Sequence, residues 1–521
     1  MTDDRLLFVT AAKSIQAFIM RTNKLKHIVG ASELVSSLTR PEGFLDEVIA
    51  ALGISQDSVE DLVRAAGSAK ILMPPEDARK LACIWPLACS LYAPGLEMTQ
   101  VVLPVGEDQS AALEKAEQLL RKKRSSPFPT LPVPGPLVKR VPRDGLAAVG
   151  MTRTPEGIQE LVSAEMKRKL RASSTRQNEM LDGILDAGEL EKLKDRWPDD
   201  FEQISGTERE YLAVIHADGN GLGGVIMKLL GEKAIDYKEL SRKIEKATRE
   251  SLKKALKPVI GEAIGKALEG TDDKVPFRLL VCAGDDVTAV VRADLAIQIT
   301  KDFLESFEKE TSRALGDFGR PEGLTACAGI AFTKRSYPFS DAYELAESLC
   351  KRAKVSVERK RSALAFWRQT TSSARTYEEI EKHELTSGDR MLSMGAYSVG
   401  STIPGDGVPT LCSLLDLVDA VDPGELPRGS TRGLLSEMTR SPASARRAFE
   451  RMKQVQNKAK MERFEKALDR ITGSADGPLW AKCVGEGKAL WCTPVLDALA
   501  LQAVGQHSCP CSKDKGNGGP E

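Results

Sequence analysis

Hydrophobic positions along the chain recur with two periods, and the switches between them mark out its elements. Short apolar runs bounded by Gly or Pro predict buried strands at residues 6–10, 97–105, 212–215, 279–282, 287–291, 324–332 and 363–367. Longer stretches with apolar positions three and four apart predict helices from residue 14, over 77–91, 110–123, 236–269, 293–315 and 343–357. Gly30-Ala31-Ser32 reads as a helix restart running to about residue 38, and residues 64–74 as a hairpin. Residues 1–123 and 207–370 repeat one order of strand, helix, hairpin, helix, strand and helix, which predicts an internal duplication. Between them, residues 124–206 open with a Pro-dense connector and continue as a charged helical stretch. Residues 371–505 read as a helical C-terminal domain and 506–521 as a disordered tail rich in Gly and Lys.

The chemistry concentrates in the second copy. Ala283-Gly284-Asp285-Asp286 separates two β-branched runs, so it is the turn of a hairpin that carries two adjacent carboxylates. Like charges repel at such a tip, and a divalent cation removes the cost. Upstream, Asp218 ends an apolar strand and leads into Gly219, Asn220, Gly221, Leu222, Gly223 and Gly224, a turn of exposed N–H groups before a helix that suits phosphate oxygens. That turn matches neither the Walker nor the dinucleotide spacing. Together the pieces have the layout of a palm domain, in which Asp218, Asp285 and Asp286 gather two metal ions for nucleotidyl transfer. His216 reads as a packed strand residue. At the matching places the first copy has Thr10-Ala11-Ala12 and Ala66-Gly67-Ser68-Ala69, so it has lost the acids.

Charge narrows the partners less than the motifs do. Lys plus Arg and Asp plus Glu are equal at 74 each, so any nucleic-acid contact needs a local patch. The basic amphipathic stretch at residues 443–471 is one candidate, although such a face is commonly just solvated. No apolar run is long enough to span a membrane, and an acidic N-terminal stretch is unlike a signal peptide. With cysteines set in apolar patterns, a reducing, cytoplasmic setting is expected. Cys83 and Cys89 are spaced for core packing, and His507, Cys509 and Cys511 are too few and too close for a structural zinc site.

The blocks HADGNGLG, AGDD and LTACAGIAFTKRSYPFSDAYELAESLCKRAK (residues 324–354) resemble the second palm domain of the large subunit of type III CRISPR effector complexes, and more distantly the diguanylate cyclase palm. SIQAFIMRTNKLKHIVGASELV (residues 14–35) resembles the opening of the first palm in that family. The family turn is usually Gly-Gly-Asp-Asp; Ala283 replaces the first Gly, which is tolerable if its φ is negative. The resemblance implies an α+β fold of two ferredoxin-like (RRM-like) palms, the second active, with a helical C-terminal domain. It implies a catalytic and metal-binding set of Asp218, Asp285 and Asp286 with two Mg²⁺ or Mn²⁺ ions. It places Gly219, Asn220, Gly221, Leu222, Gly223, Gly284 and Lys354 on the nucleotide, Lys354 standing where cyclase palms carry a lysine for triphosphate oxygens.

The implied reaction converts ATP to a cyclic oligoadenylate messenger in antiviral defence, beside effector subunits with guide and target RNA. The small domain between the palms often holds a cysteine zinc site in this family, yet residues 124–206 contain no Cys, so no structural zinc is expected. None of His27, His216, His383 or His507 precedes an Asp, so the family's His-Asp nuclease activity is not expected either. A free-standing cyclic-dinucleotide synthetase, a silent nucleotide-binding scaffold and a template-directed polymerase stay open as alternatives.

Overall fold

The computed structural model describes residues 3–65, 67–106, 109–125, 135–153, 157–175, 181, 183–206, 210–222, 237–316, 322–400, 407–473, 478–485 and 488–506. Ala66, Gly223, Gly224, most of the Pro-dense connector and the tail with His507, Cys509 and Cys511 lie outside the described residues. The chain divides into two compact units, Met1–Asp182 with Ile235–Arg242, and Gly183–Ala234 with Lys243–Glu521. Among the described residues no helix is long and apolar enough to cross a membrane.

The first unit is built on β1 (Asp3–Lys13), β2 (Glu60–Ala65), β3 (Ser68–Met73) and β4 (Glu97–Gly106), in the order β2-β3-β1-β4. Alternate residues of a strand face opposite sides. Leu7, Val9, Val101 and Leu103 therefore share one face, which α5 (Gln109–Arg124) covers with Ala112, Ala116 and Leu120. Thr10 faces the other side and accepts a hydrogen bond from Trp85 Nε1 of α4 (Pro75–Tyr92) at 2.8 Å.

Two local expectations are corrected here. After the short α1 (Ile15–Met20), α2 runs unbroken over Leu25–Thr39, so Gly30 is interior and starts nothing. Its missing side chain serves packing instead, because a Cβ there would lie 1.8 Å from the Lys169 carbonyl oxygen. The charged stretch after residue 157 is not helical from its start. It closes an antiparallel hairpin of β5 (Ala148–Arg153) and β6 (Gln159–Ser163) before α6 (Ala164–Thr175).

The second unit holds a six-stranded sheet of order β14-β11-β10-β7-β9-β8. Its strands are β7 (Tyr211–Gly219), β8 (Phe277–Ala283), β9 (Asp286–Arg292), β10 (Ala326–Lys334), β11 (Ala363–Arg368) and β14 (Tyr397–Ser398). The connecting helices are α9 (Tyr237–Leu268), α10 (Ala296–Gly316) and α11 (Phe339–Ser356), the first of which follows two short helices, α7 (Ala187–Lys192) and α8 (Phe201–Ser205). β10 and β11 are parallel, and the other pairs are antiparallel. Ala328, Gly329 and Ala331 make the centre of β10 thin, which lets α11 press close to it.

Residues 371–505 are not only helical. β12 (Thr386–Ser387), β13 (Arg390–Met391), β15 (Ala481–Gly485) and β16 (Lys488–Cys492) form a separate four-stranded sheet of order β12-β13-β16-β15. Beside it, the buried Asp497 carboxylate accepts from Tyr397 Oη at 2.6 Å, Met394 N–H at 2.9 Å and Ser393 Oγ at 3.1 Å. These bonds fasten β14 to the C-terminal helix Val495–Ala503.

Candidate active site

β7 outlasts its neighbour β9: their last paired residues are Ala217 and Val287, while pairing with β10 continues through Asp218–Cys327 and Gly219–Ala326. Asp218 therefore lies within the strand, not beyond its end, on a stretch with one side open toward the β8–β9 turn. That turn is a two-residue hairpin closed by Ala283 and Asp286. Gly284 takes φ 64° at its first position, the left-handed region that such turns reserve for glycine. Ala283 is not among the residues with positive φ, so its methyl group costs the turn nothing. Thr248 of α9 donates to the Gly284 carbonyl at 2.7 Å and holds the tip from below.

The same geometry revises the comparison of the two copies. In the first unit Ala65 pairs with Ser68, and Ala11 with Ser68 across β1–β3. Aligned by register, the counterparts of Asp218, Asp285 and Asp286 are Ala11, Gly67 and Ser68, each one residue earlier than the sequence comparison placed it. None is an acid.

Asp218, Asp285 and Asp286 are neighbours at this strand end, near enough for their charges to act on one another. A Cβ on Gly219 would lie 2.4 Å from Asp285 Oδ2, so only glycine admits the carboxylate there. Burial, and then the negative charge of Asp218, push the Asp285 carboxyl up, while a Gly219 backbone hydrogen bond opposes the rise. Asp286 is pushed further, to about 7, by burial and then by Asp218, Asp285 and Glu347. Its Oδ1 is buried without a hydrogen-bond partner, although the side chain as a whole is 38 % exposed.

His216 Nδ1 lies 3.5 Å from that oxygen and 3.2 Å from Thr288 Oγ1. Burial lowers its pKa to about 4, so the imidazole is neutral at physiological pH and gives Asp286 no counter-charge. It packs edge-on against Tyr343, as a core residue does.

Lys354 crosses from α11 to the same place. Its ammonium contacts Asp218 Oδ2 and donates to the Gly219 carbonyl oxygen at 3.0 Å. Glu347, two turns earlier on α11, is exposed and near enough to raise Asp286. Sequence reasoning missed it; its only signal was the i, i+7 spacing to Lys354 on an amphipathic helix. The Cys350 thiol under this face is pushed far up by burial and donates to the Cys327 carbonyl, so it is no nucleophile.

The expected nucleotide turn is only partly described. Asn220 is buried, and its N–H donates to Thr325 O at 2.8 Å. Its side-chain amide donates to Thr325 Oγ1 at 2.9 Å and Arg361 O at 3.0 Å, so those donors are committed to the fold. Gly221 takes φ 69°, and Leu222 begins a helical turn. Among the described residues no three His, Cys, Asp or Glu side chains converge closely enough to hold a metal ion. Individual donors nevertheless suit one: clustered carboxylate oxygens are hard ligands, and one of them, Asp286 Oδ1, is buried without a hydrogen-bond partner.

Residues 211–365 match the family model described as "Cas10/Cmr2, second palm domain". This stretch is a Cas10/Cmr2 second palm domain. Asp218, the Gly284-Asp285-Asp286 turn and Lys354 all fall inside it. No curated protein matches the chain. Among solved structures, Csm1 of T. onnurineus is similar at 14% identity and TM-score 0.42, over 69% of this chain and 53% of that one. A Csm1–Csm4 cassette in complex with cA4 is similar at 13% identity and TM-score 0.45, over 96% of this chain and 70% of that one. The chain thus spans about half the length of that first structure.

Thr248→Val tests how the turn is held. The substitution keeps shape but leaves the Gly284 carbonyl without its donor, and should cost about 1–2 kcal/mol. Urea unfolding of the two proteins measures it, and an unchanged midpoint would mean that the turn stands without this bond.

Proposed function

We propose that this protein is a metal-dependent nucleotidyltransferase that converts ATP to a cyclic oligonucleotide messenger, working as the palm subunit of a type III CRISPR-like effector. The observation that carries the reading is the meeting of Asp218, Asp285 and Asp286 at one strand end of a Cas10/Cmr2 second palm domain. The strand order β10-β7-β9-β8, with α9 and α10 as connections, supports a ferredoxin-like palm. The β4-β1-β3-β2 order of the first unit supports a second, degenerate one. Similar Csm1–Csm4 cassettes are known in complex with ATP, cA3 and cA4, ligands of the substrate and product class proposed.

In this reading Asp218, Asp285 and Asp286 would hold Mg²⁺ or Mn²⁺, which when bound would lower the pKa of a ribose hydroxyl and neutralise charge on the pyrophosphate. The chain itself supplies position. Thr248 and Gly219 fix Asp285 and Asp286, the turn at Gly221–Leu222 faces the phosphates, and neutral His216 keeps the floor dry. No side-chain base is required.

The test is incubation of the purified chain with Mg²⁺ or Mn²⁺ and each labelled NTP, with products resolved by mass spectrometry. The assay is repeated after adding partner subunits, guide RNA and target RNA. A cyclic oligoadenylate is expected. A product from the chain alone would favour a free-standing synthetase, and no product under any condition would leave a nucleotide-binding scaffold.

A further inference from the structure

Lys354 stands where oxygen ligands ordinarily hold a metal ion. Its ammonium touches a carboxylate oxygen of Asp218 and lies 3.0 Å from the Gly219 carbonyl, two hard oxygens from neighbouring residues of one strand. The side chain is only 12 % exposed, and it reaches this point from a helix 136 residues further along the chain. The next carboxylate around, Asp286, keeps a buried oxygen without a partner. The donors of a cation site are thus present, with one side already taken by the chain's own positive charge.

We propose that Lys354 is a placeholder cation: in the resting site its ammonium occupies the metal position on Asp218 and Gly219, and an arriving divalent ion displaces it. The inference rests on the nucleotidyltransferase reading above. A metal ion and an ammonium on the same carboxylate oxygen compete for it and repel each other, so each weakens the other by the same factor. Before metal arrives, Lys354 keeps Asp218 charged and aimed. Once displaced, the ammonium is delivered at the edge of the site, where a triphosphate needs positive charge. Ordered in this way, metal binding precedes a productive grip on nucleotide.

The test measures Mn²⁺ binding to the full chain without nucleotide, by the EPR signal of free Mn²⁺, in wild type, Lys354→Met, Lys354→Arg and Asp285→Asn/Asp286→Asn. Lys354→Met should bind roughly tenfold tighter, because a competitor and a repelling charge are removed together. Lys354→Arg, which keeps the charge, should stay near wild type. A second readout needs no variant of Lys354: reductive methylation followed by peptide mass spectrometry should show its amine more reactive when Mn²⁺ is present. Mn²⁺ binding that depends on Asp285 and Asp286, with equal affinity in Lys354→Met and no gain in labelling, would overturn the placeholder and leave the palm reading intact. Wild type binding no more Mn²⁺ than Asp285→Asn/Asp286→Asn would overturn both. If Lys354→Met does not fold, the labelling of wild type decides alone.

Discussion

Asp285→Ala combined with Asp286→Ala is expected to reduce nucleotidyl transfer by at least about a thousand-fold while making the metal-free protein more stable above neutral pH. The two effects share one cause. Burial and neighbouring carboxylates hold Asp286 at about 7 in the folded chain, against an ordinary value of 3.8. Between those two pH values the folded state binds more protons than the unfolded state, so stability falls as pH rises through that window. Below it the penalty is absent, and above about 7 it is present in full. Asp285, raised by burial and by Asp218, adds to the fall in the same direction.

Removing both acids removes the penalty together with the proposed chemistry, the usual exchange at a site built for function. Melting temperatures of the wild type and the double variant, taken from pH 4 to 9 in a chelating buffer, measure it. The wild-type curve should descend through pH 5–7 and the variant curve should be flatter. Wild-type stability that rises over that interval would contradict the assignment of these two groups as unneutralised carboxylates.

Gly329→Ala should be the most damaging single methyl group in the second unit. A Cβ at this position would lie 1.9 Å from the Ala346 carbonyl oxygen, 2.4 Å from the Cys350 nitrogen and 2.8 Å from Leu349 Cβ. Two of these are backbone atoms of α11, which cannot rotate away as a side chain would. The helix must lift off β10, and it carries Lys354 and Glu347 with it. Overpacking against backbone is expected to cost about 3 kcal/mol or more, with activity lost in whatever fraction stays folded.

Gly265→Ala is the control, since nothing lies within 4 Å of a Cβ there. In the last turn of α9 it should gain a few tenths of a kcal/mol from helix propensity. Urea denaturation of the two variants separates the cases, and equal midpoints would show that α11 yields without cost.

What the sequence determined by itself was what neighbouring residues decide together. The Gly284-Asp285-Asp286 hairpin was legible because a two-residue turn demands glycine and its flanking strands alternate in β-branched residues. β7, β10 and the long helices were legible from apolar period alone, and the placing of α4, α5, α9 and α11 was right to within a few residues.

Strands of two residues such as Thr386–Ser387 and Arg390–Met391 carry no period, so the C-terminal sheet was invisible. The β5–β6 hairpin was hidden in a charged stretch that continues into a true helix. Register between the two copies slipped by one, because spacing within a chain does not say which residues pair across strands.

Only the tertiary structure decided that Lys354 meets Asp218, that Glu347 lies near enough to raise Asp286, that Asn220 is spent on Thr325 and Arg361, and that Gly329 lies against the α11 backbone. Each is a meeting of residues far apart in the chain. Such meetings are set by how a helix packs on a sheet, which no local pattern encodes.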